Sequence, residues 1–523
     1  MPVDAISLEV YKNLFASVAE EMGVTLRRTS FSPNIRERLD FSCALFDAQA
    51  RMVAQAAHIP VHLGSMPASV AYAIEHYGTD RDAFLPGDVV VLNDPYRGGT
   101  HLPDVTMVSP VFAGGDLVYF VASRAHHADV GGMSPGSLPL STELYQEGII
   151  IPPVKLMHSG WINEGVLDLI VANSRAPQER LGDLEAQLAA HRAGEQRLLD
   201  ILAERGVEMA GEHAAALMDY SRRMTEATIR AIPDGTYHFE DRLEGDGQRE
   251  FDIPIRVAIT VAGEQMRVDF GGSAPQVAGN VNAVEAIVRS ATWYGVRLLA
   301  ADDIPVNHGC FEPVTVVTEP GSLLNPRFPA AVAVGNTETG QRVVDAVLGA
   351  LAQALPERIP AASQGTMNNL TVGGLDDDGA PFVYYETLAG GHGGGPLGAG
   401  IAGRHSHMTN TLNTPVEALE YVVPLRVWAY GLRDGSGGDG QHPGGDGIQR
   451  IYEFLSPATV TLNSERRVYR PYGLNGGQGG QVGRNRWLHR GQPRDMHGKC
   501  TFQAEPGDRL IVETPGGGGW GTA

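Results

Sequence analysis

The stretch NDPYRGGTHLPD, Asn93 to Asp104, sets Asp94, His101 and Asp104 among the turn-forming residues Pro95, Gly98, Gly99 and Pro103. The same residue types return shortly after, at His126, His127 and Asp129 in HHAD. Neutral imidazole nitrogen and carboxylate oxygen both bind Zn or Mn at about 2.0–2.2 Å, so Asp and His side chains carried at strand ends can converge on one divalent cation. Asp94 also has a plainer reading, because Asn-Asp-Pro is a common turn whose carboxylate caps its own backbone. If His126 and His127 continue a strand, only one of them faces the cation, since strand neighbours point to opposite faces.

Two further patterns invite a different chemistry. Gly132-Met133-Ser134-Pro135-Gly136 fits the G-x-S-x-G nucleophile elbow, and His392-Gly393-Gly394-Gly395 resembles an esterase oxyanion loop. The elbow needs a backbone N–H on the residue after the serine, which Pro135 lacks, and the oxyanion loop of such hydrolases precedes the serine. A serine hydrolase is therefore excluded. No G-x-x-x-x-G-K-[ST] occurs, and no strand-linked G-x-G-x-x-G opens a helix. The run GGHGGG reads either as a nest of amides for an anionic group or as a glycine-rich turn.

The elements that must position these residues are legible in the spacing. Val10, Leu14, Val18 and Met22 predict an opening helix that stops before Pro33. DFSCALFDAQARMVAQA predicts two short strands around a polar turn, and GDVVVLNDP a buried strand over Val89–Leu92. VTMVSPVF and LVYFVAS predict a hairpin closed by Ala113–Asp116. Pairing Phe112 with Leu117 then sets Asp104 opposite Ala125 and next to His126.

From Ser174 to Ile232 the apolar positions Leu181, Leu184, Leu188, Leu217, Met224 and Ile229 take helical spacing, punctuated by Gly206 and Gly211. Pro233-Asp234-Gly235 ends this helical hairpin. Helices are expected near Ala283–Leu299 and Thr339–Leu355. A further helix after Pro415 is expected to be capped by Thr414 or Asn413. The runs DGSGGDGQHPGGDG and GLNGGQGGQVG are read as loops between strands.

The predicted class is α+β. Residues 1–173 form a β-rich metal-site domain, residues 174–232 a helical hairpin, and residues 233–523 a mixed α/β, glycine-rich domain.

Composition bounds the function. With 43% hydrophobic and 19% charged residues among 523, the chain can bury substantial cores. Its 61 acidic and 40 basic residues give a net charge of −21, which repels phosphate backbones and anionic lipid, so no nucleic-acid or membrane partner is expected. Three scattered cysteines and the lack of a signal-like start or an eighteen-residue apolar run point to a cytoplasmic protein.

The segments RTSFSPNIRERLDFSCALFD, GDVVVLNDPYRGGTHLPDVTMVSPVF, HHADVGGMSPGS, ELYQEGIIIPPVKL, NHGCFEPV, PAAVAVGNTETGQRVVDAVLGAL and HMTNTLNTPVEALE together resemble the hydantoinase B/oxoprolinase family. The family includes the B subunits of N-methylhydantoinase and related lactamases, and the α subunits of acetone and acetophenone carboxylases. The resemblance runs to the terminal GGGGWG. It implies a divalent metal, Zn or Mn, held by an acidic residue, a His-x-x-Asp pair and a later histidine. By motif these are Asp40 in RLDFS, His101 and Asp104 in THLPD, and His126 in AHHAD. Asp40 follows from the resemblance alone.

The resemblance also implies that ATP is used by a separate hydantoinase A-type ATPase subunit. That subunit would phosphorylate an amide oxygen, and this chain would hydrolyse the activated cyclic amide with water made acidic at the metal. His127, Asp129 and Asp94 are the expected proton-handling residues. Gly98, Gly99, Gly131, Gly132 and His392 are expected to line the substrate's entrance. The expected function is the metal-containing B subunit of an ATP-dependent hydrolase of a hydantoin, 5-oxoproline or related lactam. A carboxylase α subunit is the alternative, and a catalytically silent scaffold for an ATPase is the reading from another class.

Overall fold

A computed structural model describes residues 3–56, 59–78, 83–300 and 304–523. The first third contains α1 (Ala5–Thr29), α2 (Pro33–Arg36), β1 (Phe41–Asp47), β2 (Met52–Gln55), α3 (Ser65–Tyr77), β3 (Val89–Leu92), β4 (Asp104–Ala113), β5 (Asp116–His126), β6 (Val154–His158), β7 (Trp161–Ile162) and α4 (Glu164–Ala172). The helical hairpin is α5 (Pro177–Arg205) and α6 (Val207–Arg230).

Beyond it come β8 (Gly235–Leu243), β9 (Ile253–Ala262), β10 (Gln265–Asp269), α7 (Glu285–Arg297), β11 (Val314–Val317), α8 (Gly340–Ala354), β12 (Asn369–Leu375) and β13 (Pro381–Glu386). The last elements are α9 (Val416–Val422), β14 (Leu425–Leu432), β15 (Ile448–Phe454), β16 (Ala458–Asn463), β17 (Arg484–His489), β18 (Gln492–Met496), β19 (Lys499–Ala504) and β20 (Arg509–Glu513). The architecture is α+β. Among the described residues no helix is long and apolar enough to cross a membrane.

Among the described residues four sheets form, in the orders β2-β1-β5-β4-β3-β6-β7, β11-β10-β9-β8, β13-β12-β16-β19 and β14-β15-β20-β17-β18. The first carries the ligand-type residues. One core packs α1, α5 and α6 against β1 and β5 through Phe15, Val18, Met22, Cys43, Leu45, Val121, Leu198 and Leu217. A larger core joins Val105 and Met107 of the first sheet, with Leu102 of the turn before β4, to Ile255 and Ile259 of β9 and Val343, Val347 and Leu351 of α8.

Several local expectations shift for identifiable reasons. The buried stripe of α1 is Tyr11, Phe15, Val18, Met22 and Leu26, whereas Val10 is 41% exposed. A strict spacing of four drifts around a helix of 3.6 residues per turn, so a stripe begun at the exposed Val10 joins the buried face only by Val18 and Met22. Gly206, at φ 87°, separates the two long helices, but Gly211 lies inside α6 and breaks nothing. The cap of α9 is Pro415, with no side-chain cap. Asn413 and Thr414 instead hydrogen-bond across to Glu386 and Thr387.

The hairpin β4–β5 departs from the predicted register in a way that matters. Phe112 does pair with Leu117, but a bulge follows and Val111 pairs with Tyr119, leaving Val118 unpaired. Beyond this extra residue every pair moves by one, so Asp104 sits opposite His126 rather than Ala125. Directly opposed residues share a face, and a slip of one reverses the face. The bulge thus places the Asp104 and His126 side chains together, a frequent use of bulges near active sites.

The glycine-rich segments pack against one another. Gly394 N–H donates to Gly518 O, Gly438 N–H to Gly517 O, Gly517 N–H to Gly445 O and Gly519 N–H to Gln478 O. A Cβ on Gly517 would lie 1.9 Å from His392 O, and one on Gly519 would lie 2.1 Å from Asp439 O. No side chain fits between backbones this close, so glycine is obligatory there. The GGHGGG amides are spent in this bundle: Gly391 donates to Pro515 O, Gly393 to Ser363 Oγ and Gly395 to Gly398 O. They form no anion nest.

Candidate metal centre

The row of the first sheet that faces the site runs across three strands. Asp104 opens β4, His126 closes β5 opposite it, and His126 N–H donates to the backbone oxygen of Asp40 just before β1. The next row inward on the same face is Thr106, Arg124 and Ser42. Asp40, His126 and Asp104 therefore occupy one row, with cross-strand Cβ separations of about 5 Å.

His101 reaches the row from the turn before β4. Its Nδ1 lies 2.8 Å from Ala333 O, and its Nε2 lies 3.1 Å from His126 Nδ1 and 3.2 Å from Asp104 Oδ1. His126 Nδ1 is 3.2 Å from the same Asp104 oxygen. A carbonyl only accepts, so Nδ1 of His101 carries a proton, and in the neutral ring Nε2 keeps its lone pair for the cluster.

Two nitrogens and one oxygen thus form a triangle of 3.1–3.2 Å sides. Ligands about 2.1 Å from a shared ion lie about 3.0 Å apart in octahedral and about 3.4 Å apart in tetrahedral geometry. The triangle falls between these values, so the three residues fit a divalent cation.

Charge and burial agree with that fit. Burial opposes ionisation of Asp104, but His101 and the hydrogen bonds from His101, His126 and His62 hold its carboxyl well below the usual range. Burial likewise disfavours protonation of His101, yet Asp104 outweighs it and raises that imidazole. Burial lowers His126. Among the described residues Asp104 has no lysine or arginine at ion-pair distance, and its ion-pair neighbours are the imidazoles of His62, His101 and His126. Its other oxygen, Oδ2, accepts from Thr100 Oγ1 and lies 3.6 Å from His62 Nε2.

The surroundings fix the ligand-type atoms. The carboxylate of Glu147 accepts Val332 N–H at 2.8 Å, Ala333 N–H at 3.0 Å and the Ser141 hydroxyl at 2.7 Å. It thereby holds the backbone of Ala333, the residue whose carbonyl takes the His101 proton. Tyr385 of β13 stacks on His126, with ring centroids 4.5 Å apart, and Arg38 lies 4.9 Å over the same tyrosine. Arg124, fully buried beneath the row, donates to Thr106 Oγ1, Ser65 Oγ and Ser69 Oγ.

A cavity of about 20 Å³ adjoins the triangle, lined by Asp40, His62, Asp104, His126, Asn336 and Tyr385 among others. Asp40 shares the cavity without joining the triangle, and its carboxylate lies 3.8 Å from Arg38 Nη2. Wider clefts of about 620 and 630 Å³ run along residues 244–252 and share no residue with it.

The structure gives the remaining expected site residues other work. His127 points through the sheet to α5, where Nε2 meets Gln187 Oε1 at 2.9 Å, and burial beside Arg180 pushes it well below an ordinary imidazole. That is the consequence of strand alternation, and it removes His127 from the cavity. Asp129 receives Gly131 N–H, Gly136 N–H and Arg175, which fold the loop after β5. Asp94 caps the turn Pro95–Arg97 by accepting Tyr96 N–H at 2.9 Å, the plainer of its two readings.

Gly98, at φ 88°, packs on the backbone of Ala68, and Gly99 packs on the carbonyls of Asn93 and Asp94. Gly131 and Gly132 pack on the carbonyls of Asn173 and Gln146. These glycines allow close backbone contact and do not line the cavity. His392 belongs to the glycine bundle, where its Nε2–H donates to His405 O at 2.9 Å.

Sequence reasoning missed His62, Glu147, Asn336 and Tyr385. His62 stands in an ordinary Pro-Val-His turn, and Tyr385 in a strand distant in sequence. Neither has a local signal, because only packing of separate elements brings them to the row.

Comparison with known proteins places the chain in a family. The sequence profile of the hydantoinase B/oxoprolinase family matches residues 4–523. 5-Oxoprolinase 1 of Arabidopsis thaliana is 41% identical over 547 residues, covering 99% of this chain and 42% of the relative. The chain thus spans about two fifths of that relative's length. The crystal structure of an ATP-dependent caprolactamase from Pseudomonas jessenii is similar at a TM-score of 0.93 and 30% identity, covering 100% of this chain and 92% of that one. Nucleotide-free acetone carboxylase has a TM-score of 0.90 at 18% identity, covering 98% of this chain and 76% of that one, and so shares the fold. With a profile match over nearly its whole length and these relatives beside it, the chain belongs to the hydantoinase B/oxoprolinase family.

Proposed function

We propose that this chain is the metal-bearing B subunit of an ATP-dependent cyclic-amide hydrolase, acting on a hydantoin, 5-oxoproline or related lactam in the cytoplasm. The observation that carries the reading is the buried triangle of His101 Nε2, Asp104 Oδ1 and His126 Nδ1. These atoms would hold Zn or Mn, with Asp40 of the same row as a further ligand. Such an ion, when bound, polarises a carbonyl-type oxygen and makes a water acidic enough to act near neutral pH.

The chain's own residues do the rest. The Ala333 carbonyl keeps the His101 proton on Nδ1, so Nε2 stays available. Thr100 and His62 orient Asp104 through Oδ2. His62, hydrogen-bonded to Ser42 Oγ at 2.9 Å and lining the cavity, takes the proton-handling role first expected of His127. Tyr385 closes the site against bulk water by covering the face of His126. Phosphorylation of the amide belongs to a separate hydantoinase A-type ATPase. The lack of a phosphate-cradling motif supports this, as does the extra length of the oxoprolinase relative.

The hydrolase is preferred to a ketone carboxylase because the caprolactamase and oxoprolinase relatives are 30% and 41% identical, against 18% for the carboxylase. The test is to purify the chain with its neighbour-encoded ATPase, load it with Zn or Mn, and score ATP turnover and ring opening on hydantoin, 5-oxoproline and caprolactam. Ring opening independent of bicarbonate is expected, with metal and activity both lost in His101→Ala. Bicarbonate-dependent turnover of ketones, or full metal occupancy in His101→Ala, would overturn the reading.

A further inference from the structure

A groove of about 190 Å³ lies between α6 and the turn that joins β1 to β2. Part of its lining is apolar, through Val118, Ala214 and Met218, and Val118 is the bulged residue of β5. The groove is separate from the metal centre. Tyr119, which also lines it, stands seven residues from His126 along β5, about 23 Å at about 3.3 Å per residue.

Gly211 keeps the groove open. A glycine inside a helix weakens it relative to alanine, and close approach of a neighbour is the usual compensation. Gly211 has no such neighbour, since a Cβ there would meet nothing within 4 Å. Its missing side chain instead leaves room in the groove that it lines.

Two polar groups here are unspent. Tyr119 is 3% exposed, yet its hydroxyl has no hydrogen-bond partner. Tyr119 pairs with Asp47 of β1, and opposed residues share a face. Burial and the Asp47 charge push the phenol up, so it keeps its proton and stands as a donor without an acceptor. Asp47 is itself satisfied, accepting Gln49 N–H, Arg51 N–H and Arg51 Nε–H. Arg51 makes that pair through Nε alone. Its two Nη atoms have no partner among the described residues, on a side chain 44% exposed at the edge of the groove.

We propose that this groove binds a small monocarboxylate with an apolar body. The carboxylate accepts from Arg51 and Tyr119, which flank Asp47, and the body lies on Val118, Ala214 and Met218. A cavity of about 150 Å³ takes a benzene ring, so about 190 Å³ takes such a ring with its carboxyl group. A carboxylate matches the planar guanidinium, and hydrogen bonds to an ionised acceptor are the stronger kind. An ammonium ligand would leave both donors unpaired and would meet only the already satisfied Asp47.

The test is titration of the full chain with benzoate, read by ligand-observed NMR, with benzyl alcohol and benzylammonium as ring-matched controls. Benzoate is expected to saturate one site below about 10 mM and to bind at least about tenfold tighter than either control. Tyr119→Phe and Arg51→Gln should each weaken benzoate about tenfold and leave benzylammonium unaffected. Gly211→Leu fills the groove and should abolish benzoate binding. Leucine favours the helix, so this variant should melt no lower than the wild type, and it decides the matter if Tyr119→Phe does not fold. No saturable binding by the wild-type chain, or benzylammonium binding as tightly as benzoate, overturns the inference. So does benzoate affinity that is unchanged in folded Gly211→Leu, or unchanged in both Tyr119→Phe and Arg51→Gln.

Discussion

Glu147→Gln separates the structural and electrostatic duties of one carboxyl group. Glu147 is fully buried, and all three of its donors, Ser141 Oγ, Val332 N–H and Ala333 N–H, converge on Oε1, while Oε2 has no partner. Burial pushes its carboxyl from 4.5 up to about 7, against the opposing pull of those hydrogen bonds. Between these values the folded chain holds a proton that the unfolded chain has released. The stabilising contribution is thus complete below 4.5 and is lost as pH rises toward 7. At about 1.4 kcal/mol per pH unit over about 2.5 units, the loss is about 3 kcal/mol. Glutamine keeps the Oε1 acceptor and places an uncharged amide where the proton sits, so its stability should not fall over this window. Urea unfolding in the presence of chelator at pH 4.5 and pH 8 measures both proteins. The variant should gain about 3 kcal/mol on the wild type between the two. Parallel stability curves would refute the argument. Because Glu147 anchors Ala333, whose carbonyl orients His101, Glu147→Ala should also weaken metal binding by about 10- to 100-fold, while Glu147→Gln should not.

Two further outcomes follow from buried groups elsewhere. His191 lies between Ser109 Oγ at 2.6 Å and Ser123 Oγ at 2.9 Å, and burial pushes it from 6.5 down to about 3. Its contribution is therefore present above 6.5 and lost as pH falls. His191→Gln should reduce the stability difference between pH 6.5 and pH 5 by about 2 kcal/mol, and denaturation at both values checks this. In the glycine bundle, Gly517→Ala would drive a Cβ to 1.9 Å from His392 O, whereas Gly114→Ala meets nothing within 4 Å. The first should cost more than about 3 kcal/mol or prevent folding, and the second about 1 kcal/mol from its positive φ, as thermal melts of both would show.

The sequence by itself determined the elements and the donor types. Strand β3 falls where Val89–Leu92 reads apolar, the hairpin turns at Ala113–Asp116, and the break between the long helices falls at Gly206, because each depends on neighbours within a few residues. His101 and Asp104 stand out for the same reason, three residues apart in a turn at a strand's start. Only the tertiary structure decided which of the candidates meet. Val118 bulges out of the ladder, and that one residue turns Asp104 and His126 onto a common face while His127 turns to α5. Sequence spacing could not reveal it, since the hairpin closes the same turn with or without the extra residue, and the choice is made by what each face must pack against. His62, Glu147, Asn336 and Tyr385 come from segments far apart along the chain. Their convergence depends on the packing of whole sheets and helices, which no local pattern of residues encodes.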